Sequence, residues 1–328
     1  MAVPQEDFPL RLRVRSIEQI TPAIKAFELV GQHGEQLPPF QAGAHIEVMV
    51  GGGSSRCYSL LNDPDERHRY IIAVLRERDG RGGSAWMHDR VRKGDRLPCR
   101  PPRNGFALNE AADRHILIAG GIGITPIMSM VHQLRRLDVP FVLHYCSRSA
   151  AATAYREVLA DMLGAQVFFH HDGGDASRGL DLARLLHDRP AGADVYVCGP
   201  RPMIEAAQKA TRSWPTAAVH VELFSPGEPP PTGRTLSMDT GFTVELARSK
   251  LTLEVPPDKS ILAVLSEHGF TLPSVCREGW CGTCQVGVLG GEVDHRDDIL
   301  DEAIKASHSV MQVCVSRARP GERLILDL

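Results

Sequence analysis

Four cysteines near the C-terminal end constrain this chain more than any other feature. Cys276-x4-Cys281-x2-Cys284 is followed, after 29 intervening residues, by Cys314. In this spacing three thiolates from one loop and a fourth from a distant segment enclose a 2Fe-2S cluster. A loop that turns three sulfurs toward one point needs backbone without bulk, and Gly279 and Gly282 supply it inside the motif. Cys314, in Val313-Cys314-Val315, reads as part of a neighbouring strand. Structural zinc is the competing reading, but zinc ribbons usually present two C-x2-C knuckles and only one such pair is present. The remaining cysteines, Cys57, Cys99, Cys146 and Cys198, are scattered, which favours metal over a disulfide framework for the cluster.

At 328 residues the chain exceeds one ordinary core, and domains of about 100–200 residues imply two or three. With 43% hydrophobic and 23% charged residues it reads as globular, and no apolar stretch approaches the roughly 20 residues that span a bilayer. The opening MAVPQEDFPL lacks a basic segment followed by an apolar run, so a cytoplasmic protein without a membrane partner is expected, taken as a monomer. A net charge of −3 offers no field for a phosphate backbone, and nucleic acid is not expected as a partner. Residues 241–328 hold 13 acidic and 9 basic side chains. Their run Glu292, Asp294, Asp297, Asp298, Asp301, Glu302 either steers a basic partner or simply forms a solvated face.

The first hundred residues alternate short β-like runs (Leu10 to Ile17, His45 to Val50, Tyr70 to Leu75) with turns such as Gly51-Gly52-Gly53, the pattern of a small antiparallel barrel. From His115 buried strands, a glycine turn and helices alternate, which indicates a parallel α/β layer. Its strands are expected at Phe141 to Tyr145, Val167 to His170, Val195 to Val197 and Val219 to Phe224, with helices near Thr153 to Met162 and from about Pro202. Ser225 to Thr240 is rich in Pro, Gly, Ser and Thr without an apolar face, and reads as a linker. Beyond it Phe242 to Ala247 and Lys250 to Val255 form a strand pair, and a helix runs from about Ser260 to His268 before Gly269. The domains expected are therefore 1–108, 109–226, a linker at 227–240, and 241–328.

Three further motifs carry chemistry. Arg56-Cys57-Tyr58-Ser59 combines a guanidinium for phosphate, a ring to cover a flat cofactor and a hydroxyl for its reactive edge; the plain alternative is a strand with an exposed Arg and a packed Tyr. Gly80-Arg81-Gly82-Gly83-Ser84 precedes a helical stretch, Ala85 to Asp89, whose free N–H groups suit phosphate, or is a plain loop. Gly120-Gly121-Ile122-Gly123-Ile124-Thr125-Pro126 lets a pyrophosphate approach the backbone, with Thr125 expected as N-cap and Pro126 as first helical residue. Cys198-Gly199-Pro200 ends a strand. Cys198 is either site-proximal or a packed thiol, and Glu222-Leu223-Phe224 either borders a site or is a buried final strand.

In this order the elements resemble the ferredoxin-NADP reductase superfamily followed by a plant-type ferredoxin, which over residues 241–328 includes Gly290-Gly291-Glu292-Val293 and Gly321-Glu322-Arg323-Leu324. The whole chain resembles the phthalate dioxygenase reductase family, with vanillate demethylase reductases among its members. That resemblance implies a flavin-binding antiparallel barrel, an α/β nicotinamide-binding domain and a C-terminal β-grasp ferredoxin domain. It implies FMN in preference to FAD, held by Arg56, Cys57, Tyr58, Ser59, Gly82, Gly83 and Ser84. NADH would lie against Gly121, Gly123, Thr125, Cys198, Gly199 and Pro200, with Phe224 beside the flavin. Ser59, Cys198 and Glu222 would serve hydride transfer, and Cys276, Cys281, Cys284 and Cys314 would bind iron. The implied activity is electron transfer from NADH through FMN and a 2Fe-2S cluster to a terminal oxygenase, usually Rieske-type. Ser147-Arg148 leaves NADPH open. The alternatives are a flavin or ferric-type reductase for small acceptors and a cytochrome P450 reductase.

Overall fold

The computed structural model describes residues 8–51, 54–77, 80, 82–224, 240–270, 272, 279, 282, 284–297, 299–300, 302–319 and 322–328. It divides into two compact units, Met1–Phe224 and Ser225–Leu328. Except for Thr240, the expected linker lies outside the described residues.

The first unit opens with six antiparallel strands: β1 (Leu10–Thr21), β2 (Ile24–Gly31), β3 (His45–Val50), β4 (Ser54–Ser59), β5 (Tyr70–Leu75) and, after helix α1 (Gly83–Arg90), β6 (Arg96–Cys99). Period-two alternation decides their faces: Leu12 and Val14 are buried while Arg15 points to solvent. The sheet order is β4-β3-β6-β1-β2-β5. Its end strands β4 and β5 touch, so the sheet rolls into the expected barrel around Phe27, Leu29, Ile46, Val48 and Tyr70.

Five parallel strands follow, β7 (Arg114–Gly120), β8 (Phe141–Ser147), β9 (Val167–His171), β10 (Ala193–Cys198) and β11 (Val219–Glu222), in the order β11-β10-β7-β8-β9. Helices α2 (Ile124–Leu137), α3 (Arg156–Leu163), the short α4 (Leu182–Leu185) and α5 (Arg201–Ala210) connect them. The central β7 and β10 are buried almost throughout, as a sheet covered on both faces requires. One apolar cluster joins Ala42, Leu61, Ala73 and Phe106 of the barrel region to Leu117, Ile127, Met130 and Tyr196 of the α/β layer.

Two expectations here are corrected. The helix expected from Thr153 begins at Arg156, because the Thr153 hydroxyl donates to the Ser149 carbonyl (2.9 Å) and Tyr155 adopts a left-handed φ of 56°. The last strand pairs only as far as Glu222, the partner of Cys198, and stops two residues short of Phe224.

The second unit is a mixed sheet, β13-β12-β18-β14-β16, made from β12 (Phe242–Leu246), β13 (Leu251–Val255), β14 (Gln285–Gly290), β16 (Val310–Gln312) and β18 (Leu324–Leu326). Strands β15 (Val293–Asp294) and β17 (Arg317–Ala318) form a separate pair. Helix α6 (Ile261–Glu267) buries Ile261, Leu262, Val264 and Leu265, while α7 (Glu302–Ser307) lies against β16. The Ser260 hydroxyl caps α6 by accepting the Ala263 N–H at 3.2 Å. Parallel pairing of β12 with β18 beneath a crossing helix is the β-grasp arrangement. Among the described residues no helix is long and apolar enough to cross a membrane.

Candidate functional site

Strand β4 carries the Arg56 to Ser59 motif. Pairing with β3 fixes it, Arg56 opposite Val48 and Ser59 opposite His45. Arg56 and Tyr58 are half-buried, Cys57 is exposed, and alternation puts Cys57 on the face opposite its two neighbours. The Arg56 side chain lies directly on Gly83, where a Cβ would sit 2.8 Å from its Nε. Gly82, the N-cap of α1, has a left-handed φ of 82°. A guanidinium and the open N–H groups of a helix start thus share one place, a cradle suited to phosphate. Ser84 instead accepts the Glu77 N–H through its hydroxyl, at 3.1 Å. Ser59 is 5% exposed, and its Oγ has no hydrogen-bond partner among the described residues. A buried orphan hydroxyl is costly unless a ligand completes it.

The glycine turn meets the end of β10 backbone to backbone. A Cβ on Gly123 would lie 2.1 Å from the Cys198 carbonyl oxygen, and one on Gly120 would lie 2.7 Å from Pro200 Cδ. A Cβ on Gly199 would likewise lie 2.9 Å from the Met203 sulfur. Gly121, at a φ of 56°, turns its carbonyl to accept the Tyr145 hydroxyl at 3.0 Å. Thr125 is not the N-cap. The turn Gly121–Gly123 is a 3-10 segment that runs straight into α2, so Gly123 occupies the cap and Thr125, buried, donates its hydroxyl back to the Ile122 carbonyl at 3.0 Å. Pro126 falls third in the helix, still within the turn whose N–H groups lack partners.

Cys198 is wholly buried and stands in register with Glu222 on β11 and Ala119 on β7. Burial, then the Glu222 carboxylate, pushes its thiol well above the usual range, so it is protonated at neutral pH and is no nucleophile. Glu222 is half-buried, but its Oε2 is enclosed without a partner among the described residues. Burial pushes its carboxyl up to about 8. Phe224 is exposed beyond β11. Strand β5 touches both β4 and the Gly121–Gly123 turn, so the cradle strand and the glycine turn flank the same strand. The orphan Ser59 and Glu222 oxygens, the anion cradle and the glycine-lined junction fit a flavin and a nicotinamide.

Cys276 and Cys281 lie outside the described residues; Cys284 and Cys314 are both buried. Cys284 leads into β14 and Cys314 follows β16, two strands paired through Gln285 and Gln312. The Val313 N–H donates to the Cys284 carbonyl at 3.3 Å, which holds the two segments together. Gly279 and Gly282 have φ of 85° and 73°, and a Cβ on Gly279 would strike Val315 at 2.5 Å. Two buried sulfurs on adjoining segments, with left-handed backbone at Gly279 and Gly282, fit a thiolate-bound cluster.

Comparisons with known proteins bear on the whole chain. Residues 244–319 match the 2Fe-2S iron-sulfur cluster binding domain, and residues 95–218 match the N-terminal domain of dimethylamine monooxygenase subunit DmmA-like proteins. The reductase subunit of tert-butanol monooxygenase / tert-amyl alcohol desaturase from Aquincola tertiaricarbonis is 44% identical, over 97% of this chain and 96% of its own. The solved phthalate dioxygenase reductase, described as a modular structure for electron transfer from pyridine nucleotides to [2Fe-2S], superposes with a TM-score of 0.70 at 41% identity, over 99% of this chain and 100% of its own. The chain belongs to the phthalate dioxygenase reductase family. Its relatives are named as oxidoreductases, and the chain shares the 2Fe-2S domain to which the solved relative passes electrons from pyridine nucleotides. The same architecture recurs within an intact type IV self-sufficient cytochrome P450 monooxygenase (TM-score 0.78, 38% identity, 97% of this chain), of which this chain spans 41%.

Within this family member the described residues of the acidic run do not share one charged face. Asp297 is buried, its carboxylate accepting the Leu300 N–H at 3.0 Å and the Ser316 hydroxyl at 3.2 Å beside His295 Nδ1 at 3.3 Å. Asp294 pairs with Arg296 at 2.7 Å, and Glu292 pairs with Arg319. Asp298, Asp301 and the Glu302 side chain lie outside what is described. Asp297 therefore offers no surface to a partner, and its carboxyl is spent on contacts within the fold. Ser147 is also spent internally, on Thr153 Oγ1 at 2.7 Å, while Arg148 stays exposed. Sequence reasoning missed Gln312, buried with its amide against Cys284; a lone polar residue within Val310-Met311-Gln312-Val313 was the available signal.

Proposed function

We propose that this chain is the reductase component of a multicomponent oxygenase, taking electrons from NADH and delivering them to a terminal, Rieske-type oxygenase. When bound, FMN converts the hydride of NADH into single electrons and the 2Fe-2S cluster carries them outward. The observation that carries the reading is the flanking of β5 by the Arg56–Gly83 cradle and by the glycine turn packed on Cys198. Residues 1–108 would bind the flavin and 109–226 the nicotinamide, with 227–240 linking them to a ferredoxin domain at 241–328.

Arg56 and the N–H groups at Gly82, Gly83 and Ser84 neutralise a terminal phosphate, and Tyr58 covers the ring. Ser59 donates its unpartnered hydroxyl to the hydride-accepting edge. Gly121, Gly123, Thr125, Cys198, Gly199 and Pro200 keep the backbone low enough for a nicotinamide nucleotide, and Phe224 closes the site from the β11 side. Cys276, Cys281, Cys284 and Cys314 bind the two irons. The protein would work in the cytoplasm as a monomer.

Glu222 holds a proton on its enclosed carboxyl at neutral pH and loses it through about pH 8. Glu222→Gln keeps a neutral side chain of the same shape with a donor and an acceptor, so its NADH-dependent ferricyanide reduction at pH 7 should stay near the parental rate. The parent's decline through pH 8 should vanish in the variant. Stability carries the same signature: a carboxyl raised in the folded state binds its proton more tightly than in the unfolded chain. The parent therefore loses stability as pH rises from about 4.5 to about 8, while the glutamine variant does not. Steady-state rates and thermal melts across pH 5–9 check both, and parallel curves would remove Glu222 from the site.

A second reading, with a cytochrome P450 as acceptor, draws support from the 38% identity with the self-sufficient monooxygenase. Reconstitution with a purified Rieske oxygenase or P450 separates the two by which acceptor turns over.

A further inference from the structure

Gln312 is fully buried between Met311 and Val313, which are buried as well. Its main chain already frames the turn that bears Cys314, its carbonyl accepting the N–H groups of Val315 at 3.2 Å and Ser316 at 3.0 Å. Its side chain reaches the other segment. Oε1 lies 3.5 Å from Cys284 Sγ, and Nε2 donates to Gln285 Oε1 at 3.1 Å. That polarity suits a protonated thiol. Once Cys284 binds iron its sulfur is an anionic acceptor, and an amide oxygen facing it is repelled.

Amide oxygen and nitrogen are nearly the same size, so a half-turn of the Gln312 amide leaves its packing unchanged and turns an N–H to the sulfur. The oxygen then needs a donor. The exposed Gln285 side chain, directly across the β14–β16 pairing, is free to turn its own amide and supply one.

We propose that Gln312 hydrogen-bonds the ligand sulfur of Cys284, oriented by Gln285, and so raises the reduction potential of the cluster. The inference rests on the reading of Cys284 as an iron ligand. Reduction adds one electron to the cluster and breaks no bond. A donor aimed at a ligand sulfur stabilises the added negative charge and favours the reduced state. Gln312 is a positioning and tuning residue, and an amide buried among apolar side chains is costly unless it makes such a bond.

The test is a redox titration of the full-length protein followed by EPR of the reduced cluster, with the flavin couple as internal reference. In Gln312→Leu the ratio of reduced to oxidised cluster at a fixed potential should fall about tenfold, a shift of about 59 mV for a one-electron couple. Gln312→Glu matches the shape but adds a carboxylate, and should shift further in the same direction. In the unaltered protein with 15N in its glutamine side chains, pulsed EPR should detect a side-chain nitrogen coupled to the cluster, and Gln312→Glu should lose that coupling. An unshifted potential in fully loaded Gln312→Leu, or no coupling in the parent, overturns the proposal. A parent without any 2Fe-2S signal would instead overturn the cluster reading beneath it.

Discussion

Cys281→Ser should stop electron delivery to the oxygenase while leaving NADH-dependent ferricyanide reduction near the parental rate. In the Cys276-x4-Cys281-x2-Cys284 motif Cys281 is the middle ligand of one loop, and a serine oxygen is a harder, less readily ionised donor than a thiolate. Outer partners of a metal site alone are worth about 10–100-fold in metal affinity, and a ligand is worth more. Iron per chain should drop toward zero and oxygenase turnover should fall on the order of 10²-fold or more. Arg56, the glycine turn and Cys198 all lie in the other compact unit, so flavin content should be unchanged. Iron analysis and paired assays with the two acceptors check this. An unchanged cluster spectrum, or zinc in place of iron, would defeat the ligand assignment.

Gly123→Ala should be nearly as damaging to the first half of the reaction, for a steric reason. The new methyl would stand 2.1 Å from the carbonyl oxygen of Cys198 and 2.5 Å from its carbon, both backbone atoms with no rotamer to yield. Either the turn rises off the end of β10 or the end of β10 is displaced. Overpacking of this kind costs about 1–3 kcal/mol, which in a unit of this size lowers Tm by roughly 2–12 °C. The functional cost should be larger, because a displacement of about 1 Å can cost on the order of 10²-fold in rate. Stopped-flow mixing with NADH should show flavin reduction slowed by about that factor, with flavin content retained. A variant that melts with the parent and is reduced at the parental rate would separate this junction from nicotinamide binding.

Much of the fold was legible in the sequence because it rests on local patterns. Period-two alternation marks β1, the continuous burial of HILIAG marks a parallel central strand, and Ser260 with Gly269 brackets α6. Less legible were the places where side-chain hydrogen bonds override local propensity. Thr153 and Tyr155 delay α3, and Thr125 turns back to Ile122 where the string alone suggests an N-cap. The acidic run shows a deeper limit. Charge counted along the chain cannot reveal that Asp297 faces inward to Ser316 and Leu300, since those contacts depend on how β15 and β17 pair. Gln312 was hidden for a related reason, its importance arising only when β14 and β16 bring it beside Cys284.

The central claim is that residues 1–226 form a complete NADH-to-flavin unit and that electrons leave only through the ferredoxin domain. A chain ending at Pro226 tests this most directly. It should fold around the apolar cluster shared by the barrel and the α/β layer, bind FMN and reduce ferricyanide with NADH. It should not drive the oxygenase. Adding residues 241–328 as a separate fragment should restore only part of the rate, because free fragments lack the effective concentration that a tether provides. The decisive quantity is oxygenase turnover supported by the truncated chain: turnover at background supports the account, and turnover at the parental rate would show that electrons leave from the flavin and contradict it.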